Sequence, residues 1–173
     1  MKMGFSLLEL LVTLALITLV FTITIPRFLF FNSLIMHNEI NKLFVTFTYL
    51  QQKAIASNHE QELRLCPHDN SYSYQQNQKT VTTTLAHIVH FGFLKEVKGP
   101  PSSPKTPITH PITFKQNAEK KYVVTFFPDG NVSPGTIYVV DRKQKIMNAL
   151  TCSMAPVSYI RKYNYTDGRW NVF

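Results

Sequence analysis

Glu9 is the one charged side chain in residues 5–25, an otherwise apolar run of 21 residues. Wound as a helix at about 1.5 Å per residue, the run is roughly 31 Å long, enough to cross the hydrocarbon of a bilayer. A carboxylate held there costs on the order of 2.5–3.5 kcal/mol on insertion scales, so it needs a partner or a purpose. Two other groups of residues have chemistry to offer. Cys66 and Cys152 are the only cysteines. Outside the cytoplasm a bridge between them is permitted, and by closing a loop of about 86 residues it would contribute a few kcal/mol. The other possibility is two buried thiols acting as small hydrophobes; the bridge is the expected state. Towards residue 173, Tyr159, Arg161, Lys162, Tyr163, Tyr165, Arg169 and Trp170 mix cations with rings. Such a surface suits phosphates and stacked bases. The favoured reading is plainer, an edge strand with solvated cations outside and aromatics packed inward.

Other chemistry is thin. His87 and His90 are three apart, which on a strand sends them to opposite faces, and His68 near Cys66 adds no zinc spacing. No metal site is expected. There is no nucleophile–base–acid set, paired-carboxylate signature or phosphate-binding glycine loop. Hence no catalytic residue, no cofactor and no enzymatic activity are expected.

Three readings of the N-terminal run compete. A cleaved secretory signal has a shorter apolar region and a small-residue exit, and Ile23-Thr24-Ile25-Pro26-Arg27 offers none. A plain membrane anchor accounts for the length and for Lys2 on the cytoplasmic side, but not for Glu9. The third reading is a resemblance. Gly4-Phe5-Ser6-Leu7-Leu8-Glu9 resembles the processing motif of type IV prepilins and pseudopilins. The resemblance implies that a prepilin peptidase cuts between Gly4 and Phe5 and that the new Phe5 amine is methylated. Glu9 then becomes the fifth residue, and Pro26 falls where such proteins commonly have a proline. In a filament, Glu9 of one subunit would neutralise the Phe5 amine of its neighbour, an ion pair that sets register. The partners implied are the peptidase, other pseudopilins or pilins, an inner-membrane assembly platform and membrane lipid.

The elements that position these residues follow from periodicity. Met36, Ile40, Leu43, Phe47, Leu50 and Ala54 recur at spacings of four and three, one apolar stripe on a helix. Glu39, Lys42, Gln51, Gln52 and Lys53 lie mostly off it. Pro26 should kink or locally break the helix, so one helix of about 50 residues is predicted, closed by Ser57-Asn58-His59. Beyond it the period becomes two, in residues 62–66, parts of 79–89 and 112–115. Residues 121–127 and 136–140 are predicted to pair as a hairpin around Pro128-Asp129-Gly130-Asn131. Later strands are expected at 146–154 and 157–163. Residues 99–111 hold five of the ten prolines and read as a loop.

Here a second resemblance enters. Gln51-Gln52-Lys53-Ala54-Ile55-Ala56-Ser57-Asn58, then Glu62-Leu63-Arg64-Leu65-Cys66-Pro67, is similar to the helix-to-first-strand passage of the GspH/FimT family of minor pseudopilins. Phe126-Phe127-Pro128-Asp129-Gly130 and Gly135-Thr136-Ile137-Tyr138-Val139 resemble its hairpin, and Val157-Ser158-Tyr159-Ile160-Arg161 its final strand. The fold expected is α+β and type IV pilin-like, a long N-terminal helix with a transmembrane first half, packed on an antiparallel β-sheet domain. Residues 1–4 form a leader, 5–26 the membrane helix, 27–58 its amphipathic half and 59–173 a periplasmic β-rich domain. The resemblance implies a minor pseudopilin of a type II secretion pseudopilus. It would sit in the bacterial inner membrane as a single-pass protein with its N-terminus in the cytoplasm. The alternative is a minor type IV or competence pilin that binds DNA, for which Arg161, Lys162, Arg169 and Trp170 are the candidates. The formal charge of +8 fits acidic partners or simple solubility equally well.

Overall fold

The computed structural model describes residues 6–24, 27–99, 104–153 and 159–173. Gly4, Phe5 and Pro26 lie outside the described residues, as do the last residue of the strand expected at 146–154 and the first two of that at 157–163. The chain divides into two compact units, Met1–Leu34 and Ile35–Phe173.

In the first unit, helix α1 (Leu7–Thr24) is apolar round its whole circumference, with Leu8, Leu11, Leu14, Ile17 and Phe21 all exposed. A helix of that composition belongs in an apolar environment. Its threonines look after themselves. The hydroxyls of Thr13 and Thr18 donate to the carbonyls of Leu10 and Ala15, each at 2.9 Å, and that of Thr22 to Thr18 at 2.7 Å. Among the described residues no helix is long and apolar enough to cross a membrane. The run expected to do so, residues 5–25, extends past the described residues at both ends.

Helix α2 (Arg27–Ser57) enters the second unit at Ile35. The expected stripe is its buried face, and Met36, Ile40, Leu43, Phe47, Leu50 and Ala54 are all 0% exposed. Asn58 ends the helix with a φ of 51°, a left-handed conformation that asparagine tolerates well, and its N–H bonds the Ile55 carbonyl at 3.3 Å.

Two antiparallel sheets complete the α+β unit. One contains β1 (Gln61–Cys66), β2 (Ser71–Gln76), β3 (Lys79–Thr84) and β5 (Tyr122–Phe126), in the order β3-β2-β1-β5. The other contains β4 (Val89–Phe91), β6 (Gly135–Asp141), β7 (Met147–Cys152), β8 (Ile160–Thr166) and β9 (Arg169–Val172), in the order β4-β6-β7-β8-β9. The stripe of α2 packs against both, meeting Leu63, Leu65, Val124 and Phe126 of the first and Ile137, Val139 and Leu150 of the second in one cluster. Phe47 anchors it, edge-on to Phe126 with ring centroids 5.3 Å apart. The second sheet is buried on its other face too. There Tyr138, Val140, Met147, Ala149 and Tyr163 form a separate cluster under Phe93, Leu94, Val97 and Ile108.

Four expectations are corrected. The predicted hairpin turn forms, with Gly130 at a φ of 84° and the Phe127 N–H bonding the Asn131 carbonyl at 2.8 Å. Its two strands nevertheless part: β5 pairs with β1, and β6 with β4 and β7. At the start of β6 the Phe114 ring lies 2.6 Å from where a Cβ on Gly135 would stand, which favours glycine there. Residues 112–115 form no strand; Ile112 makes a single bridge to Ile137. β2 and β9 were not foreseen. Finally, Glu39 is buried rather than off the stripe, at 3% exposure.

Because Phe47 bridges helix and sheet, Phe47→Ala should cost about 3–5 kcal/mol, read as a lowered urea midpoint. A loss below about 1 kcal/mol would mean that the stripe does not hold the sheets.

Candidate functional site

At the start of α1, Ser6 and Glu9 cap the helix reciprocally. Ser6 Oγ accepts the N–H of Leu8 at 3.2 Å, and Glu9 Oε2 accepts the N–H of Ser6 at 3.2 Å. The Ser6 carbonyl takes the first helical bond, from Leu10 N–H at 3.1 Å. This is a capping box, signalled in the sequence by Ser-x-x-Glu ahead of an apolar run. It adds a local role for Glu9 that the membrane argument overlooked. The carboxylate satisfies a free backbone donor and sits at the positive end of the helix dipole.

Further along, α2 carries a second carboxylate in a groove of about 660 Å³ lined by Ile35, Asn38, Glu39, Asn41, Lys42 and Val45. Glu39 Oε1 meets Lys42 Nζ at 2.7 Å, while the buried Oε2 has no hydrogen-bond partner. The hydrogen bond and charge of Glu39 raise the Lys42 ammonium above its ordinary 10.5. Burial likewise pushes up the Tyr72 phenol, which feels both charges.

The four residues considered for DNA are dispersed. Arg161 is exposed and stacks its guanidinium 5.0 Å from the Tyr159 ring. Lys162, next along β8, faces α2 instead: its ammonium donates to Asn41 Oδ1 at 2.6 Å and lies 4.7 Å from the Phe44 ring. Trp170 is half-buried among Tyr165, Tyr138 and Tyr163, and its indole N–H donates to the Lys98 carbonyl at 2.9 Å. Arg169 pairs with Thr166 at the hairpin tip, five residues along β8 from Arg161 and so roughly 17 Å away. The cluster therefore reads as an edge hairpin with aromatics packed inward, and no common face presents all four. Trp170→Ala should destabilise the chain by about 3 kcal/mol, whereas Arg161→Ala should leave the urea midpoint unchanged. Equal effects would sink the packing role.

Cys66 and Cys152 are free thiols on different sheets, so the expected bridge is not formed. Cys66, at the end of β1, donates its S–H to Asp69 Oδ2 at 3.1 Å. The His68 hydrogen bond, and then that of Cys66, hold the Asp69 carboxyl below its ordinary value. Cys152 is buried in β7, and burial pushes its thiol up to about 12. The thiolate is the reactive form, so only about one part in ten thousand of a thiol with that pKa is reactive at pH 8. Maleimide should therefore modify Cys66 in the folded chain and reach Cys152 only after denaturation. Simultaneous modification of both would show that β7 is not sealed.

Comparison with known proteins finds no matching family model and no matching curated protein. Among solved structures, the chain is similar to that described as the minor pseudopilin EpsH from the type 2 secretion system of Vibrio cholerae. The TM-score is 0.49 at 13% sequence identity, covering 69% of this chain and 90% of that one. So slight a likeness carries no function across.

Proposed function

We propose that this chain is a processed, membrane-anchored filament subunit, a minor pseudopilin of a type II secretion pseudopilus. The observation that carries the reading is the N-terminal run: Gly4, Phe5 and Glu9 in prepilin order, opening an apolar helix. Two features of α1 and α2 support it. The hydroxyls of Thr13, Thr18 and Thr22 are turned back onto their own helix, as an apolar solvent requires. The stripe of α2 holds a β-rich unit, which such a subunit would carry on the outside of a helical bundle. In this reading the prepilin peptidase cuts between Gly4 and Phe5, α1 lies in the inner membrane, and Glu9 pairs with the Phe5 amine of a neighbouring pseudopilin. The work is mechanical, and the protein is not an enzyme. The competence-pilin alternative gains nothing from the dispersed placement of Arg161, Lys162, Arg169 and Trp170.

The capping box makes the test sharper. Glu9→Gln keeps an acceptor for the Ser6 N–H and removes the charge; Glu9→Ala removes both. If Glu9 acts by charge, both variants are still cleaved and neither enters filaments. Assembly by Glu9→Gln at the level of the unaltered chain would leave capping as the only role and overturn the ion pair.

A further inference from the structure

The turns of the second unit differ in charge from one end to the other. β7 runs in the same sense as α2: Asn148 Nδ2 donates to the Met36 carbonyl at 3.4 Å, while two residues on, Leu150 pairs with Lys162, which reaches Asn41 and Phe44. The β6–β7 turn therefore lies at the end where α2 enters the second unit. β8 runs back antiparallel, which brings the β8–β9 turn to that same end. The first turn contributes the exposed Arg142, Lys143 and Lys145, and the second Arg169 against Asp167. Four cations thus face one carboxylate, a surplus of three over eight residues. Asp141, buried at the head of the first turn with its Oδ1 accepting the N–H groups of Lys145 and Ile146 at 2.6 and 2.8 Å, lowers that surplus to two. Glu96 and Lys98, which line the groove beside Arg169, cancel each other. At the corresponding end of the first sheet, Asp69 and Glu119 are balanced by the exposed Lys120 and by Lys121, which pairs with Glu119.

The far end is different. Gln51 Nε2 reaches the Gly130 carbonyl and Lys53 Nζ the Gln75 carbonyl, so the β2–β3 turn and the turn after β5 lie near the last turns of α2. With the α2–β1 link this end carries Lys53 and Lys79 against Glu60 and Asp129. The turns where α2 enters thus carry a surplus of cations, and those opposite carry none.

We propose that the turns at residues 142–145 and 166–169 form a cationic rim that docks the second unit on an anionic phospholipid surface. The inference rests on the membrane reading above. Eight residues lie between Pro26 and Ile35, at most about 30 Å of chain even when fully extended. The rim is thereby tethered within reach of the headgroups. Lysine and arginine near an anionic leaflet are attracted over about a Debye length. Docking would hold the subunit ready before it joins a filament.

The test uses the full chain in nanodiscs of phosphatidylcholine, with and without phosphatidylglycerol, and acetylation of lysines read by mass spectrometry. Lys143 and Lys145 should react severalfold more slowly in the anionic discs, with Lys79 unchanged as the internal control. Salt near 1 M, where the Debye length is about 3 Å, should restore their reactivity. Arg142→Glu with Arg169→Glu should abolish the slowing. Equal rates in the two lipids, or equal slowing of Lys79, would overturn the docking while leaving the anchor intact. Failure to enter discs of either kind would remove the membrane reading and the docking together. Protection by added duplex DNA but not by the anionic lipid would reassign the rim to nucleic acid.

Discussion

The contact between the α2 stripe and the two sheets governs everything else in the second unit. The sheets are built on different strands and share no ladder; β1 pairs with β2 and β5, and β6 with β4 and β7. What joins them is apolar area on one helix face, where Met36 to Ala54 meet Leu63 and Val124 on one side and Ile137 and Leu150 on the other. Removing such area from water is the dominant favourable term in folding. It also fixes geometry: the tilt of α2 across the sheets determines which turns lie where it enters and which lie at its last turns. The gathering of Arg142, Lys143, Lys145 and Arg169 at one end is a consequence of that one packing choice.

The stripe was legible in the sequence because its period comes from helix geometry alone, and a helix face buried against any partner shows the same spacing. The strands were less so. Asp129-Gly130 announced a chain reversal correctly, but a turn signal says only that the chain folds back, not which neighbour the next strand will choose. β5 pairs instead with β1, and β6 with β4 as well as β7, and β1 and β4 lie far along the chain from those partners. β2 escaped notice because Ser71-Tyr72-Ser73-Tyr74 presents its buried side through tyrosines, which carry a polar group and blur the alternation. The second sheet blurs it further: β6 and β7 are buried on both faces, so their apolar runs show no alternation to read.

The candidate site divides in the same way. Glu9 stood out because a charge within an apolar run is improbable at the level of composition, whereas its bond to the Ser6 N–H is a matter of local backbone geometry. Glu39 was hidden by a helix-wheel argument that assigns each residue one direction. A glutamate at the margin of the stripe can bend under it when an i+3 lysine follows, and Lys42 supplies that. The reach of a flexible side chain does not appear in a periodicity.

Glu9 and Glu39 then share a physical property. Each carboxylate is engaged through one oxygen with a partner three residues away, Ser6 N–H for Glu9 and Lys42 Nζ for Glu39. An ionised carboxylate has about four acceptor positions. The capping bond on Glu9 therefore does not compete with an intermolecular ion pair; it orients the group and leaves room for a second donor. Capping and the proposed register role are compatible, and the first would lower the entropic cost of the second by fixing the side chain beforehand. A charge that is costly in an apolar bundle becomes tolerable when it is half satisfied before any neighbour arrives.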